Sequence, residues 1–317
     1  MITTRNLIAM AEAGDADAQF RLAYRLAFGR FGAGSPRPWR RVVELWKAAA
    51  RQGHARAQFY LGTCYDNGLG VRRSIVEAMK WYRDAAMQGH ETAQYNLAFG
   101  YREGEGVRRN LARAVMWFRR AAEQGDADAQ RDLGVCLHEG KGTRRDDEEA
   151  ARWYRCAARQ DDAKAQYNLA LCYADGDGVR KSLANAARWF WRAAEQGHIR
   201  SQSRLAEAYD EGLGLRHDDA ESLRWLRRAA RNGDADAQCE LGVRYHNGRG
   251  VPKSYSVSVS WYRRAARSGS NWAEYLLGLC YRDGEGVRSA RSMAMRWFHA
   301  AAGHGVPEAK AALRRLK

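Results

Sequence analysis

The sequence lacks long apolar runs and contains little proline. None of its apolar runs approaches the roughly 18 residues that a membrane-spanning helix needs. The first segment, MITTRNLIAMAEAGD, has no apolar core of the kind that a secretory signal carries. Only 4 of the 317 residues are proline, whereas 45% are hydrophobic, so the chain can fill a packed core and wholesale disorder is excluded. We expect a protein without a membrane span in the cytoplasm, or in the periplasm if a signal peptide has been removed.

Lysine is scarce although the chain is strongly basic. Lysine and arginine together number 53 against 37 acidic residues, which gives a net charge of +16, and only 8 of the 53 are lysine. An arginine bias of this kind is compatible with a GC-rich genome as well as with selection for binding anions. The charge by itself therefore assigns no partner.

The six cysteines do not form a disulfide framework. Cys64, Cys136, Cys172 and Cys280 are separated by multiples of 36 residues. Equivalent positions in stacked repeats lie about 8–10 Å apart, which exceeds the roughly 7 Å between Cα atoms that a disulfide tolerates. No CxxC or Cys/His spacing indicates zinc. We expect six reduced thiols, most of them buried, with a bridge between Cys136 and Cys156 as the one possibility within a repeat.

A period of 36 residues organises the whole chain. The period is kept by a glutamine row (Gln58, Gln94, Gln130, Gln166, Gln202 and Gln238), by a leucine row from Leu61 to Leu277 and by a tryptophan row (Trp81, Trp117, Trp153, Trp189, Trp225, Trp261 and Trp297). Paired glycines from Gly68/Gly70 to Gly284/Gly286 keep it as well. The chain therefore consists of repeats.

Each repeat is predicted to be a pair of helices. In residues 55–67 the apolar residues recur at i, i+4, i+7 and i+8, which is one face of a helix that ends at Gly68. Ser74 is a candidate N-cap for a second helix over 74–88, with Glu77 completing a capping box. We expect the tryptophan row and the alanine pair that follows it to fill the core between the layers.

These residues resemble a known family. The pattern A-x-A-Q-x-x-L-G-x-x-Y-x-x-G-x-G-V followed by A-x-x-W-Y-x-x-A-A-x-x-G is similar to the Sel-one-like repeat (SLR), a branch of the tetratricopeptide-like superfamily. Local departures are Leu137, Thr143, Asp161 and Leu226. The resemblance implies an all-α fold, a right-handed α/α solenoid of antiparallel helix pairs with a 36-residue period.

The ends of the sequence predict one solenoid domain over 1–317. Residues 3–14 resemble only the second helix of a repeat and 307–317 only the first, and eight repeats fill 15–306. Half-repeats of this kind cap the exposed core at the ends of solenoids. The first repeat, 15–54, carries a three-residue insertion around GRFGAGSPRP, with Leu45 in the tryptophan place and Trp46 after it.

No catalytic motif is present. The segment EGKGT at 139–143 is the repeat loop, because the glycine spacing and the residue after Lys141 do not match a phosphate-binding loop. The sequence contains no HExxH, GxSxG or SxxK, and the histidines form no ligand-spaced pair. We predict no enzyme activity, no catalytic residues, no cofactor, no metal and no small-molecule substrate.

The resemblance to tetratricopeptide folds implies that the first helices line a concave face. The places two before, one after, five after and eight after the glutamine share one side of such a helix. They carry aromatic, apolar and arginine residues, which dominate protein-binding hot spots. The candidate partner-binding residues are Phe59, Tyr95, Phe99, Arg102, Arg131, Tyr167, Leu171, Tyr275 and Leu279. The alternative is that several of them pack between helices.

Basic residues follow the glycine loop in successive repeats and form a second candidate surface. This basic ladder comprises Arg72, Arg73, Arg108, Arg109, Arg144, Arg145, Arg180 and Lys181. It could engage an acidic protein, a phosphate polymer or a membrane surface, or it could be a solvated edge.

Two classes of function follow. The first is a protein-binding scaffold or adaptor whose partner has an acidic surface. By the resemblance, this class includes bacterial secretion-linked regulators and immunity proteins that neutralise a toxin. The second is a binder of nucleic acid or another polyanion through the basic ladder. Base-reading repeats present regular polar side chains, whereas the places here mix aromatic, basic and small residues, so the sequence favours a protein partner over nucleic acid.

Overall fold

The computed structural model of the protein describes residues 3–29 and 37–316. These ranges contain eighteen α-helices and no β-strand. The chain divides into two compact units, residues 1–160 and 161–317. Unit 1 contains α1 Thr4–Glu12, α2 Ala16–Phe28, α3 Trp39–Arg51, α4 Ala55–Asn67, α5 Ile75–Met87, α6 Glu91–Glu103, α7 Leu111–Gln124, α8 Ala127–Glu139 and α9 Asp147–Arg159. Unit 2 contains α10 Ala163–Asp175, α11 Leu183–Glu195, α12 Ile199–Glu211, α13 Asp219–Arg231, α14 Ala235–Asn247, α15 Tyr255–Arg267, α16 Asn271–Asp283, α17 Arg291–Gly303 and α18 Pro307–Leu316.

The repeat is the predicted helix pair, and within each unit every helix packs on the next one along the chain. This confirms the all-α solenoid of helix pairs. Helices α1 and α18 are the two predicted half-repeats. The predicted insertion in the first repeat falls on 30–36, outside the described residues. No described helix has both the length and the apolar character that crossing a bilayer requires. The extent of the solenoid as one domain stays a prediction.

The helix ends follow the sequence signals, with one correction. Gly68 adopts φ 71° at the C-terminus of α4, and the Ser74 hydroxyl accepts a hydrogen bond from the Glu77 amide at the start of α5. The predicted capping box is wrong in its second half. The Ser74 amide donates to the Tyr65 carbonyl at 2.8 Å, and the Glu77 carboxylate pairs with Lys80 instead. The loop is therefore closed by a hydrogen bond to α4 rather than by the Glu77 side chain.

The core is filled mainly by the residue after each tryptophan. This aromatic row, with a leucine in one repeat, is almost fully buried: Tyr82, Phe118, Tyr154, Phe190, Leu226, Tyr262 and Phe298. In the tryptophan row only Trp117 and Trp225 are buried, and the others are partly exposed. Trp153 instead donates its indole N–H to Glu149 at 3.1 Å. The tryptophan row is therefore fully buried at only two of its seven places. Four others pack against the edges of core clusters, namely Trp81, Trp189, Trp261 and Trp297. In the first repeat Leu45 and Trp46 are both buried.

The buried tyrosines of this row need a glycine opposite them. A Cβ atom at Gly62 would lie 2.7 Å from the Tyr82 ring, and one at Gly134 would lie 2.6 Å from the Tyr154 ring. In the repeat where Ala98 takes this place, the facing aromatic is Phe118. Close approach of the two helices in a repeat therefore depends on matched residues at these two places.

The glutamine row forms a series of amide pairs in the core. Gln58 donates to the Ala50 carbonyl at 3.2 Å, and its own side-chain oxygen accepts from Gln88 at 2.7 Å. The pair recurs thirty residues apart as Gln124–Gln94, Gln160–Gln130, Gln196–Gln166 and Asn232–Gln202, and 33 residues apart as Gln52–Gln19 in the first repeat. A buried amide without partners is costly, so each glutamine fixes the seating of one helix pair. The 36-residue pattern identifies the first member of each pair. It does not single out the second, because glutamine and asparagine are also ordinary surface residues.

All six cysteines are free thiols, five of them buried and Cys156 exposed. Burial raises the pKa of Cys64 and Cys239 to about 12 and that of Cys136 and Cys280 to about 11. The buried thiols are small apolar fillers of the core.

Candidate partner-binding site

The nine residues predicted for the concave face lie on the first helices of their repeats, and all are half-buried. Phe59 lies on α4, Tyr95, Phe99 and Arg102 on α6, and Arg131 on α8 in unit 1. Tyr167 and Leu171 lie on α10, and Tyr275 and Leu279 on α16, in unit 2. Each therefore has one side against its neighbours and one side accessible.

Three of these residues meet at Asp132, a buried carboxylate on α8. Arg102 on α6 donates to its Oδ2 at 2.8 Å and Arg131 donates to its Oδ1 at 3.0 Å. The Tyr95 hydroxyl donates to Oδ2 at 3.4 Å. Asp132 is 7% exposed, so its charge is buried but fully paired, as a buried charge must be. The carboxylate thus joins the first helices of two successive repeats.

The Asp132 network also fixes the state and orientation of its members. Burial, and then the Asp132 carboxylate, raise the pKa of Tyr95 to about 12, so the phenol stays a donor at neutral pH. The Arg102 guanidinium stacks over Phe99 at 4.8 Å and over Phe118 at 5.4 Å. Phe99 and Arg102 therefore form a preorganised aromatic and cationic patch, the kind of surface that binds a protein without ordering costs.

Phe59, Tyr167 and Tyr275 also pack on neighbouring rings. Phe59 stacks on His90 with ring centres 4.4 Å apart, Tyr167 packs against Phe190 at 5.7 Å, and Tyr275 packs against Phe298 at 5.8 Å, as Tyr95 does against Phe118. Leu171 and Leu279 lie at the edges of core clusters. These residues therefore combine packing between helices with partial exposure, and their role in binding stays a prediction.

Sequence reasoning missed Asp132. It lies two places after the glutamine, where the other repeats carry Tyr60, Asn96, Asn168, Arg204 and Glu240. The sequence signal is a carboxylate within α8 next to the invariant Leu133, at a place whose residue type changes from repeat to repeat. The buried charge is visible only once α6 and α8 are placed side by side.

The basic ladder is exposed at all eight positions, and its members divide into two kinds. Arg73 and Arg109 donate from Nε to the carbonyls of Asp66 and Arg102, at 2.7 and 3.0 Å, and so close the loop after the first helix. Arg145 pairs with Asp147. In contrast, no hydrogen bond or ion pair joins Arg72, Arg108 or Arg144 to another described residue. The second arginine of each pair (Arg73, Arg109 and Arg145) thus contacts its own repeat. The first (Arg72, Arg108 and Arg144) is available to bind a partner.

Across the described ranges, no three histidine, cysteine, aspartate or glutamate side chains are grouped to hold a metal ion.

Comparison with known proteins identifies the repeat. The family model of the Sel1 repeat matches residues 16–37, 55–90, 92–126, 127–162, 163–198, 199–234, 235–270 and 273–306. No curated protein is significantly similar to the chain.

Two bacterial crystal structures are similar to the chain over almost its full length. One is a protective antigen present in uropathogenic Escherichia coli strains that displays an SLR fold, with 34% identity, a TM-score of 0.88 and coverage of 99% of this chain and 67% of that one. The other is a Sel1 repeat protein from Oxalobacter formigenes, with 34% identity, a TM-score of 0.79 and coverage of 99% and 90%.

An immunity protein from Pseudomonas aeruginosa is only loosely similar, with 23% identity, a TM-score of 0.37 and coverage of 70% and 83%. That likeness carries no functional conclusion. The eight repeat matches and the two relatives of 34% identity show that the chain belongs to the Sel1 repeat family.

Proposed function

We propose that the chain is a non-enzymatic scaffold that binds a partner protein on the accessible side of its first helices. Sel1 repeat proteins are generally protein-interaction scaffolds, which supports the class of function. The Asp132 network supports the place, because it holds Tyr95, Arg102 and Arg131 in fixed positions across two repeats. A surface that is already rigid loses little entropy on binding.

The test compares a patch variant with a ladder variant. Phe99→Ala removes the ring on which Arg102 stacks and leaves the Asp132 contacts intact. The matched control, Arg72→Ala with Arg108→Ala and Arg144→Ala, removes three guanidiniums that make no described contact. A protein retained by the immobilised chain would be purified and titrated against both variants at low and high salt. We expect the patch variant to bind at least about fivefold more weakly, which corresponds to about 1 kcal/mol.

A polyanion binder is the second candidate, and the unpaired guanidiniums of Arg72, Arg108 and Arg144 favour it. Binding through them would fall steeply with salt, because exposed charges are screened over about 8–10 Å. A gel shift on generic RNA at physiological salt separates the candidates. The polyanion proposal would replace the scaffold proposal under two results. The wild type would retain RNA while the ladder variant does not, and the patch variant would keep full affinity for every partner.

The finer roles belong to the same proposal. A secretion-linked regulator and a toxin-neutralising immunity protein differ in the partner captured, which is a component of the secretion apparatus in one case and a toxin in the other. An acidic partner surface and a cytoplasmic location also remain proposals. Fractionation of cells that express the tagged chain tests the location.

A further inference from the structure

Three departures from the repeat coincide in unit 2, between α12, α13 and α14. Leu226 stands where six other repeats bury an aromatic ring, and Arg244 stands where four repeats bury a cysteine and two a glycine or alanine. At the place of Ser222, five of the other six 36-residue repeats carry an alanine. A smaller residue and a buried cation thus replace ordinary core at one point.

Arg244 is held by partners from three helices. Its side chain is 2% exposed, and Nη2 donates to Asp210 at 2.7 Å and to the Ser222 hydroxyl at 2.8 Å. Its Nε donates to Glu240 at 3.4 Å. The third nitrogen, Nη1, is buried and has no hydrogen-bond partner among the described residues. A buried N–H without an acceptor is costly, which marks Arg244 as an unusual feature of this core.

A cavity of about 320 Å³ opens beside Leu226, and the equivalent cavity beside Phe190 measures about 150 Å³. Leu226, Ala206 and Ala237 form its apolar part, and Arg244 lies in its wall. The other lining residues are mostly acidic, namely Glu207, Asp210, Glu211, Asp236 and Glu240, with Ser203. Its volume falls within the range of about 300–1,000 Å³ that ligand pockets occupy. In a chain of net charge +16, this concentration of carboxylates is local and opposite in sign.

The carboxylates around the cavity outnumber the arginines that pair with them. Arg244 and Arg249 together balance Asp210 and Glu240, and Arg204 pairs with Glu207. Glu211 and Asp236 have no basic partner among the described residues. Arg249 also shows what the site accepts, since its half-exposed guanidinium bridges Asp210 and Glu240 at 2.9 Å from the solvent side.

We propose that this cavity binds an arginine or lysine side chain of the partner polypeptide. The carboxylates receive the cation, and the aliphatic stem packs on Leu226 and the two alanines. A basic side chain supplies both the charge and the stem, whereas a free inorganic cation supplies no stem. The inference rests on the scaffold function for the source of this side chain, and it assigns a basic segment to the part of the partner that meets unit 2.

The test uses the full chain and capped five-residue peptides, Gly-Gly-X-Gly-Gly, with arginine, lysine, citrulline or glutamate at X. Citrulline is a neutral isostere of arginine, so it separates charge from shape. We expect the wild type to bind the arginine and lysine peptides at least tenfold more tightly than the citrulline and glutamate peptides, measured by NMR titration at low salt.

Two variants locate the binding. Leu226→Phe restores the common aromatic, and Phe118 beside Ala98 and Phe190 beside Ala170 show that a phenylalanine suits an alanine such as Ala206. It should fold at least as stably as the wild type and lose at least tenfold in affinity. Glu211→Gln with Asp236→Asn removes the unpaired carboxylates and should lose a similar factor. The matched control is Glu105→Gln with Glu148→Gln, two exposed carboxylates of unit 1, and it should bind as the wild type does.

Several outcomes overturn the proposal: no preference for the cationic peptides, undiminished binding by folded Leu226→Phe, or equal losses in the control variant. Failure here is distinguishable from failure of the scaffold function. A captured protein that binds Leu226→Phe with wild-type affinity rejects the cavity and keeps the scaffold. Peptide binding at the cavity by a chain that captures no protein rejects the scaffold and leaves a basic-peptide site.

Discussion

At the residue scale, the amide pairs contain one defect. Gln238 donates to the Ala230 carbonyl at 3.0 Å, but its side-chain oxygen is buried without a partner because Ser268 stands where other repeats carry glutamine or asparagine. The serine side chain is too short to reach across. An unsatisfied buried acceptor costs about 1–3 kcal/mol, so a donor for the Gln238 side-chain oxygen should stabilise this repeat.

We predict that Ser268→Gln raises the free energy of unfolding by about 1 kcal/mol, since it supplies the missing donor. Urea denaturation with an unchanged m-value is the measurement. The mirror substitution, Gln88→Ser, removes the donor to Gln58 and should lower the free energy of unfolding by about 1–3 kcal/mol. A neutral effect of both would show that the amide pairs contribute nothing to stability.

The cysteines differ in access and in acidity. Burial raises the pKa of Cys64 and Cys239 to about 12, so these thiols are protonated and shielded at neutral pH, whereas Cys156 is exposed. A disulfide-exchange reagent should therefore modify one thiol rapidly in the native protein and all six after denaturation. Cys156→Ser should abolish the rapid phase. A second rapid thiol in that variant would contradict the buried placement of the others.

At the element scale, three first helices begin with a histidine cap. His90 accepts a hydrogen bond from the Ala93 amide through Nδ1 at 3.3 Å, and His198 does the same for Ser201 at 3.3 Å. His54 caps α4 in the same way. Only a neutral imidazole can accept there, and burial lowers the pKa of His90 and His198 below the ordinary 6.5.

These caps predict a pH dependence whose sign follows from the lowered pKa. Between the folded and unfolded pKa values the unfolded chain binds more protons, so the stability is complete above about pH 6.5 and is lost as the pH falls toward the folded values. Thermal unfolding between pH 7.5 and 5.5 measures it. His90→Asp with His198→Asp should flatten the profile in this window, because it removes both imidazoles while aspartate can cap such helices, as Asp126 and Asp234 do. An unchanged slope would place the dependence elsewhere.

At the scale of the whole molecule, the sequence was sufficient where a feature recurs and insufficient where it occurs once. The period, both helices of the repeat and the φ-positive Gly68 follow from rows of identical residues. The burial of the aromatic row rather than of Trp153 could not be read in this way, since both rows recur and only helix packing distinguishes them. Asp132 and Arg244 are unique to their repeats, and the contacts that join them to other helices, to Arg102 and to Ser222, span more than twenty residues of sequence.

The prediction of one solenoid domain can be tested against the two compact units. Phe118→Ala removes a fully buried ring from unit 1 and should cost about 3–5 kcal/mol. If the chain unfolds as one domain, hydrogen exchange should accelerate in both 3–160 and 161–316, and we expect this result. Acceleration confined to 3–160 would divide the protein into two domains. Gly134→Ala, which crowds the Tyr154 ring, is an independent variant of unit 1 for the same measurement.

The amide pairs also constrain how the gene can change in length. Each pair lies within one repeat, as Gln58 and Gln88 do, while the second bond of the glutamine reaches the alanine carbonyl of the repeat before it, as Gln94 reaches Ala86. Excision of residues 91–126 would bring Gln130 to the place of Gln94. Each remaining glutamine of the amide pairs would then keep an equivalent partner for both of its hydrogen bonds. Excision of 34 residues would misplace both bonds at once. Duplication and loss of whole repeats therefore keep the amide pairs, and the 33-residue spacing of Gln52 and Gln19 shows that a short insertion within a repeat can keep its pair as well.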